Sequence, residues 1–338
     1  MTLKGELAPL DHGGDLGAAR KQFPGAPEPF LDLSTGINPF PYPLAPLPPE
    51  ASTRLPDPAS LAKLLAVAAE AYGAPSPSHV VAASGSQILV AQTAFLLARG
   101  RATILAPTYS EHARVAELAG HNVVEAADVT QLAESRIAIV VNPNNPDGRI
   151  VPKDALLALA DRLRRRGGLL LVDEAFMEVG PYGVSLADQS ARGNIVVLRA
   201  FGKFYGLPGV RLSFAIAPPE IAARLATAFG PWPVSGAALA IAATALADVA
   251  WREKTRGLLA EAAARLDTLI AKAGLELIGG TSLFRLVRTR EAAQLFQRLG
   301  EAGILVRRFA EYPAWLRFGL PDRESAWQRL AAALPPKA

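Results

Sequence analysis

There is no cysteine among the 338 residues, so neither a disulfide framework nor a thiolate metal site can be built. That absence agrees with a reducing compartment, and the expected location is the cytoplasm. No apolar run reaches the roughly eighteen residues that span a bilayer. The richest stretch, 237–247, is alanine-dominated and is expected to be a buried helix. The opening residues, Met1 to Leu7, lack the apolar core of a signal peptide. Excess charge is also scarce: the net balance is only +4, and the basic residues are scattered. Their one cluster, Arg162 with Arg164, Arg165 and Arg166, closes an expected helix, where cations complement the helix dipole. No helix-turn-helix pattern occurs in the irregular first 55 residues, which argues against a DNA-binding regulator. The expectation is therefore no metal, no membrane and no nucleic acid. A mild positive balance suits a small phosphorylated partner.

Half of the residues are hydrophobic, enough for a large and a small domain. Residues 1–55 are rich in proline (Pro39, Pro41, Pro43, Pro46, Pro48, Pro49) and read as an extended arm without helix. Asp57-Pro58 supplies an N-cap and a first-turn proline for a helix ending at Gly73. From there apolar runs at 80–83, 102–106, 122–125, 137–141, 169–172 and 195–198 alternate with helical stretches. That pattern predicts an α/β fold, a mostly parallel sheet covered on both faces. Five of these runs deliver unusual residues just past their carboxyl ends, the edge where open α/β sheets bind ligands. After 217 the pattern turns to a smaller α+β region. The expected division is 1–55 (arm), 56–220 (large domain) and 221–338 (small domain).

The chemistry centres on Lys203, set among Phe201, Phe204, Tyr205 and the glycines 202, 206 and 209, with Arg211 eight residues on. Burial disfavours a charged lysine, and a neutral amine can attack a carbonyl to form a Schiff base. Asp173 ends an apolar run and could keep a pyridinium nitrogen protonated. Gly85-Ser86-Gln87 opens a helix and offers free N–H groups to a phosphate, to which Arg211 could add a charge-assisted bond. Asn145 could bond a ring hydroxyl, and Tyr109 could stack on the ring. Singly, each is also what a capped helix, a turn or a loop start looks like. As an ordered set they describe a site for pyridoxal 5′-phosphate.

The chain resembles the fold-type I pyridoxal-phosphate enzymes of the class I/II aminotransferase superfamily, on Asn145-Pro146-Asp147-Gly148, Asp173-Glu174-Ala175 and Lys203 with Arg211. The runs His12-Gly13-Gly14, Ser34-Thr35-Gly36-Ile37-Asn38-Pro39, 199–207 and Trp315–Pro321 most resemble the threonine-phosphate decarboxylases of cobalamin biosynthesis. The histidinol-phosphate aminotransferases are the alternative. The resemblance implies that Lys203, Asp173 and Tyr109 take part in catalysis, that Arg317 binds the substrate carboxylate, and that the protein is a homodimer. It places Gly36 at the substrate, and His12, Asn38 and Arg307 or Arg308 at the substrate phosphate. Two positions depart from the superfamily: Ala200 stands where Ser or Thr is usual, and Phe176 where Tyr is common. A missing hydroxyl bond at Ala200 costs about 1–2 kcal/mol unless another group replaces it.

Overall fold

A computed structural model describes residues 12–336. The opening heptapeptide read for a leader lies outside the described residues. The strands are β1 (Leu31–Leu33), β2 (Val80–Ala83), β3 (Arg101–Leu105), β4 (Asn122–Ala126), β5 (Ile137–Val141) and β6 (Leu169–Asp173). They continue with β7 (Ile195–Ala200), β8 (Ser213–Ile216), β9 (Glu276–Thr281), β10 (Phe284–Arg288), β11 (Ile304–Arg308) and β12 (Trp315–Phe318).

Seven of them form one sheet in the order β2-β8-β7-β6-β5-β3-β4. Within it β8 alone runs antiparallel to its neighbours, β2 and β7. The central strands are buried throughout, as continuous Val, Ile and Leu runs require when helices cover both faces. The helix Lys153–Arg164 shows how: Leu156, Leu159, Ala160 and Leu163 recur at helical spacing and are all buried. Because β8 is reversed, its first residue lies level with the last residues of its neighbours. Ser213 pairs with Ala200 of β7 on one side and Ala83 of β2 on the other. The start of β8 therefore joins the edge at which the parallel strands end.

The other five strands make a second sheet, β1-β11-β12-β10-β9, in which β1 runs parallel to β11. The chain packs as two compact units. One holds 12–36, Ala264–Ile278 and 284–336 among the described residues; the other holds Ile37–Ala263 and Gly279–Leu283.

This division differs from the one drawn at 55 and 220. The helix Pro219–Phe229 lies where a boundary is expected, but it packs on β2 and on the helix Ser86–Leu96. The alanine-rich helix Gly236–Ala247, expected to be buried, is buried along one face (Ala238, Leu239, Ala242, Ala245, Leu246), and it packs on the helix Pro58–Tyr72. Both therefore belong with the seven-stranded sheet. The irregular arm is also more ordered than its prolines imply. It contains β1 and the helix Leu16–Gln22, whose first turn is capped by Asp15 accepting from the Ala18 N–H at 2.8 Å.

Candidate active site

In the larger unit, Asp173 closes β6 and is 5% exposed. Its Oδ1 accepts the Ala175 N–H at 3.0 Å, and its Oδ2 lies 2.9 Å from His112 Nε2. An ionised carboxylate only accepts, so Nε2 carries the proton of that bond. His112 is 1% exposed, on the helix Glu111–Leu118, three residues past Tyr109. The Tyr109 ring meets the imidazole edge-on, with centroids 5.9 Å apart. Sequence reasoning missed His112; its position one helical turn from the candidate stacking ring was the available signal.

Lys203 sits half-buried on the short helix Phe201–Phe204, its Nζ 5.8 Å from the centroid of the buried Phe176 ring. Beneath it Phe201 stacks on Tyr205 at 4.4 Å, and Tyr205 stacks on Trp251 at 5.5 Å. This aromatic column fixes the backbone that carries the amine. The segment 37–42 straps over it: the Asn38 N–H donates to the Lys203 carbonyl at 2.9 Å, and the Tyr42 N–H to that of Tyr205 at 2.9 Å. Gly206 permits the approach, since a Cβ there would stand 2.8 Å from the Asn38 carbonyl oxygen. The Asn38 side chain donates to the Phe204 carbonyl at 2.7 Å and accepts the Phe40 N–H at 2.8 Å. Asn38, read as a phosphate ligand, is thus tied to the backbone of the Lys203 segment.

Gly85 caps the helix Ser86–Leu96 with φ of 100°, and any Cβ on it would run into the Arg211 guanidinium. Arg211 itself has φ of 54°, alone among non-glycine described residues in being positive. A bulky residue there costs on the order of 1–3 kcal/mol, strain of the kind stored at functional sites. The cation therefore lies across a helix start with free N–H groups, a cradle suited to a phosphate. Ser86 Oγ lies 2.8 Å from Ser213 Oγ, while the Gln87 side chain turns to Glu111. Asn145 is half-buried in a turn that Asn144 braces: Asn144 accepts from Thr108 Oγ1 at 2.6 Å and donates to the Pro107 carbonyl at 2.9 Å. An acid, an amine, a phosphate cradle and the Asn145 turn along one sheet edge fit pyridoxal 5′-phosphate.

In the smaller unit, Arg307 and Arg317 are direct partners across β11 and β12. Arg317 is 7% exposed; its Nη2 donates to the Ser34 carbonyl at 2.9 Å, and its guanidinium lies over Phe284 at 5.1 Å. Burial, then Arg307, pushes the Arg317 pKa down to about 10 against the weaker pull of Asp32. Ser34 accepts the Gly14 N–H at 2.7 Å and donates to Asp32, which brings 12–14 beside it. A cleft of about 610 Å³ opens between His12, Asp15, Gln22, Ser34, Arg307 and Arg308. Gly36 is buried at the end of the same segment. Two cationic side chains thus stand side by side, one of them buried, an arrangement suited to an anion.

A family model of class I and II aminotransferases matches residues 50–334. The chain belongs to that family. Threonine-phosphate decarboxylases of Sinorhizobium sp. and Pseudomonas aeruginosa are each 43% identical to it. The alignments cover 97% of this chain and 98% of the first relative, and 96% and 97% for the second. Among solved structures, histidinol-phosphate aminotransferase from Sinorhizobium meliloti in complex with pyridoxal-5′-phosphate superposes with a TM-score of 0.79 at 23% identity. That superposition covers 96% of this chain and 94% of the other. The fold is accordingly the fold-type I arrangement of this family.

Two outcomes test this geometry. His112→Phe keeps the ring volume but removes the bond to Asp173, and kcat should fall on the order of tenfold or more, the worth of one charge-assisted bond. Burial and Arg307 lower the Arg317 pKa, so its charge costs the unliganded fold stability. In urea denaturation at pH 7 Arg317→Met should match or exceed the wild type, by on the order of 1 kcal/mol, and a loss of several kcal/mol would contradict the assignment.

Proposed function

We propose that the protein uses pyridoxal 5′-phosphate to decarboxylate L-threonine O-3-phosphate to (R)-1-aminopropan-2-ol O-2-phosphate, a step of cobalamin biosynthesis. The observation that carries this reading is the Arg307–Arg317 pair, two cationic positions for a substrate with two anionic groups. The full-length likeness to threonine-phosphate decarboxylases supports it.

When bound, the cofactor supplies an electron-poor ring that takes up the pair left as the Cα–carboxyl bond breaks. Asp173, held by His112, is the carboxylate partner for its ring nitrogen. Gly85, Ser86 and Arg211 would hold its phosphate, Asn145 its ring hydroxyl and Tyr109 its face. Lys203 would hold its aldehyde carbon until the substrate amine takes that place, and the freed Lys203 amine or a water would return a proton at Cα. Arg317 takes the substrate carboxylate as a bidentate pair, a geometry lysine cannot reproduce. Arg307 and His12 take the substrate phosphate, and Asn38 keeps the strap over the lysine segment. With Phe where a ring-hydroxyl donor is common, Phe176 adds an apolar wall beside Lys203 and leaves Asn145 as the partner of the ring oxygen. We propose further that the protein acts in the cytoplasm as a homodimer.

Purified protein given pyridoxal phosphate and O-phospho-L-threonine, with no 2-oxo acid, should release CO₂ at a steady rate. Transamination cannot turn over without an acceptor. Lys203→Ala should reduce the rate by at least about a thousandfold. Glutamate formed from histidinol phosphate and 2-oxoglutarate, with no CO₂ release, would mark the aminotransferase instead. Light scattering after size exclusion should give the mass of two chains, and a monomer would refute the dimer.

A further inference from the structure

Ala200 leaves the cofactor-phosphate cradle without the hydroxyl that the superfamily usually places there, and the neighbouring strand carries one at the same level. Ser213 is the direct antiparallel partner of Ala200, and cross-strand partners project to the same face of a sheet. On its other side Ser213 pairs with Ala83, two residues before Gly85. It is 2% exposed, and its Oγ lies 2.8 Å from the Oγ of Ser86, the first residue of the helix whose start forms the cradle. The Leu212 carbonyl, 2.8 Å from Ser213 Oγ, is the other acceptor for its proton. Two residues upstream on the same strand entry, Arg211 lies across Gly85.

We infer that Ser213 takes over the missing hydroxyl's work. It rests on the pyridoxal-phosphate reading above. A hydroxyl has one proton and two acceptor sites. In the structure Ser213 Oγ donates to the Leu212 carbonyl; with phosphate bound, turning that proton to Ser86 Oγ would release the Ser86 proton for the phosphate. Ser213 is thus a positioning residue that acts through Ser86, and it keeps one hydroxyl at the cradle beside Ala200. The side chain at 200 points to the same face, so a serine restored there reaches the same phosphate directly.

The test is titration of the apoprotein with pyridoxal 5′-phosphate and with pyridoxal, which lacks the phosphate, following tryptophan quenching and the absorbance of the bound chromophore. Ser213→Ala should raise the Kd for pyridoxal phosphate about five- to tenfold, the loss of one hydrogen bond, and leave that for pyridoxal unchanged. Adding Ala200→Ser to Ser213→Ala should return the Kd to within about twofold of wild type. Ala200→Ser alone should bind at least as tightly as wild type, which keeps the test intact where Ser213→Ala fails to fold. An unchanged Kd in Ser213→Ala, an equal loss for both ligands, or no rescue by the second change would each overturn the inference. Wild-type protein that takes up no pyridoxal phosphate would overturn the cofactor reading along with it.

Discussion

Two carboxylates stand side by side at the end of β6, Asp173 and Glu174, and neither can reach water. Successive side chains leave a strand on opposite faces, so each needs a separate partner. Asp173 meets His112; Glu174 accepts from Arg199 at 2.8 Å, from Ser185 at 2.6 Å and from the Leu186 N–H at 2.8 Å. Removing one partner of a buried ion pair costs about 3–5 kcal/mol, so the Arg199–Glu174 arrangement is strongly constrained. A third carboxylate, Glu178, lies 3.4 Å from Arg199, and burial pushes its pKa up although Arg199 opposes this. Burial works against the Arg199 charge in turn, but Glu178 and Glu174 outweigh it and hold the guanidinium above its ordinary range. One face of the Asp-Glu pair thus anchors the sheet to its loops, while the other meets His112.

The residues legible in the sequence were those whose types conflict with their setting. Lys203 among aromatics, Asp173 after four aliphatics and Gly85 at a helix start each break a local pattern, and the structure places all three on one edge of the seven-stranded sheet. The strand order supplies that convergence, and alternating apolar runs already implied it. What was not legible depends on pairing across distance. His112 finds its role through Asp173, 61 residues away. Ser213 looks like a small residue in a strand until the register sets it opposite Ala200. Asn38 carries a side chain suited to phosphate, and its commitment to the Phe204 carbonyl follows only from the strap. The helix Pro219–Phe229 shows the limit of composition: its flanking prolines and glycine look like a linker, while its buried Ala222 and Leu225 hold it to the sheet.

The two arginines of the smaller unit are organised on a different basis from the ion pairs of the larger one. Around Glu174 one guanidinium, Arg199, serves two carboxylates, Glu174 and Glu178. At Arg307 and Arg317 two like charges face each other across neighbouring strands, and burial and Arg307 outweigh Asp32 in lowering the Arg317 pKa. Holding like charges together in this way costs a fold stability. An anion bound there would offset that repulsion and raise stability on ligation.

The division of the chain into units has a consequence for how the molecule can come apart. The backbone passes between them four times, after residues 36, 263, 278 and 283, and one passage falls inside the continuous helix Val249–Lys272. The five residues 279–283 belong to the larger unit although the segments on both sides belong to the smaller. Neither unit is therefore a contiguous stretch of gene, and no single cut or truncation releases one intact. Recombination that exchanged one unit for a homologue's would have to splice at all four passages at once.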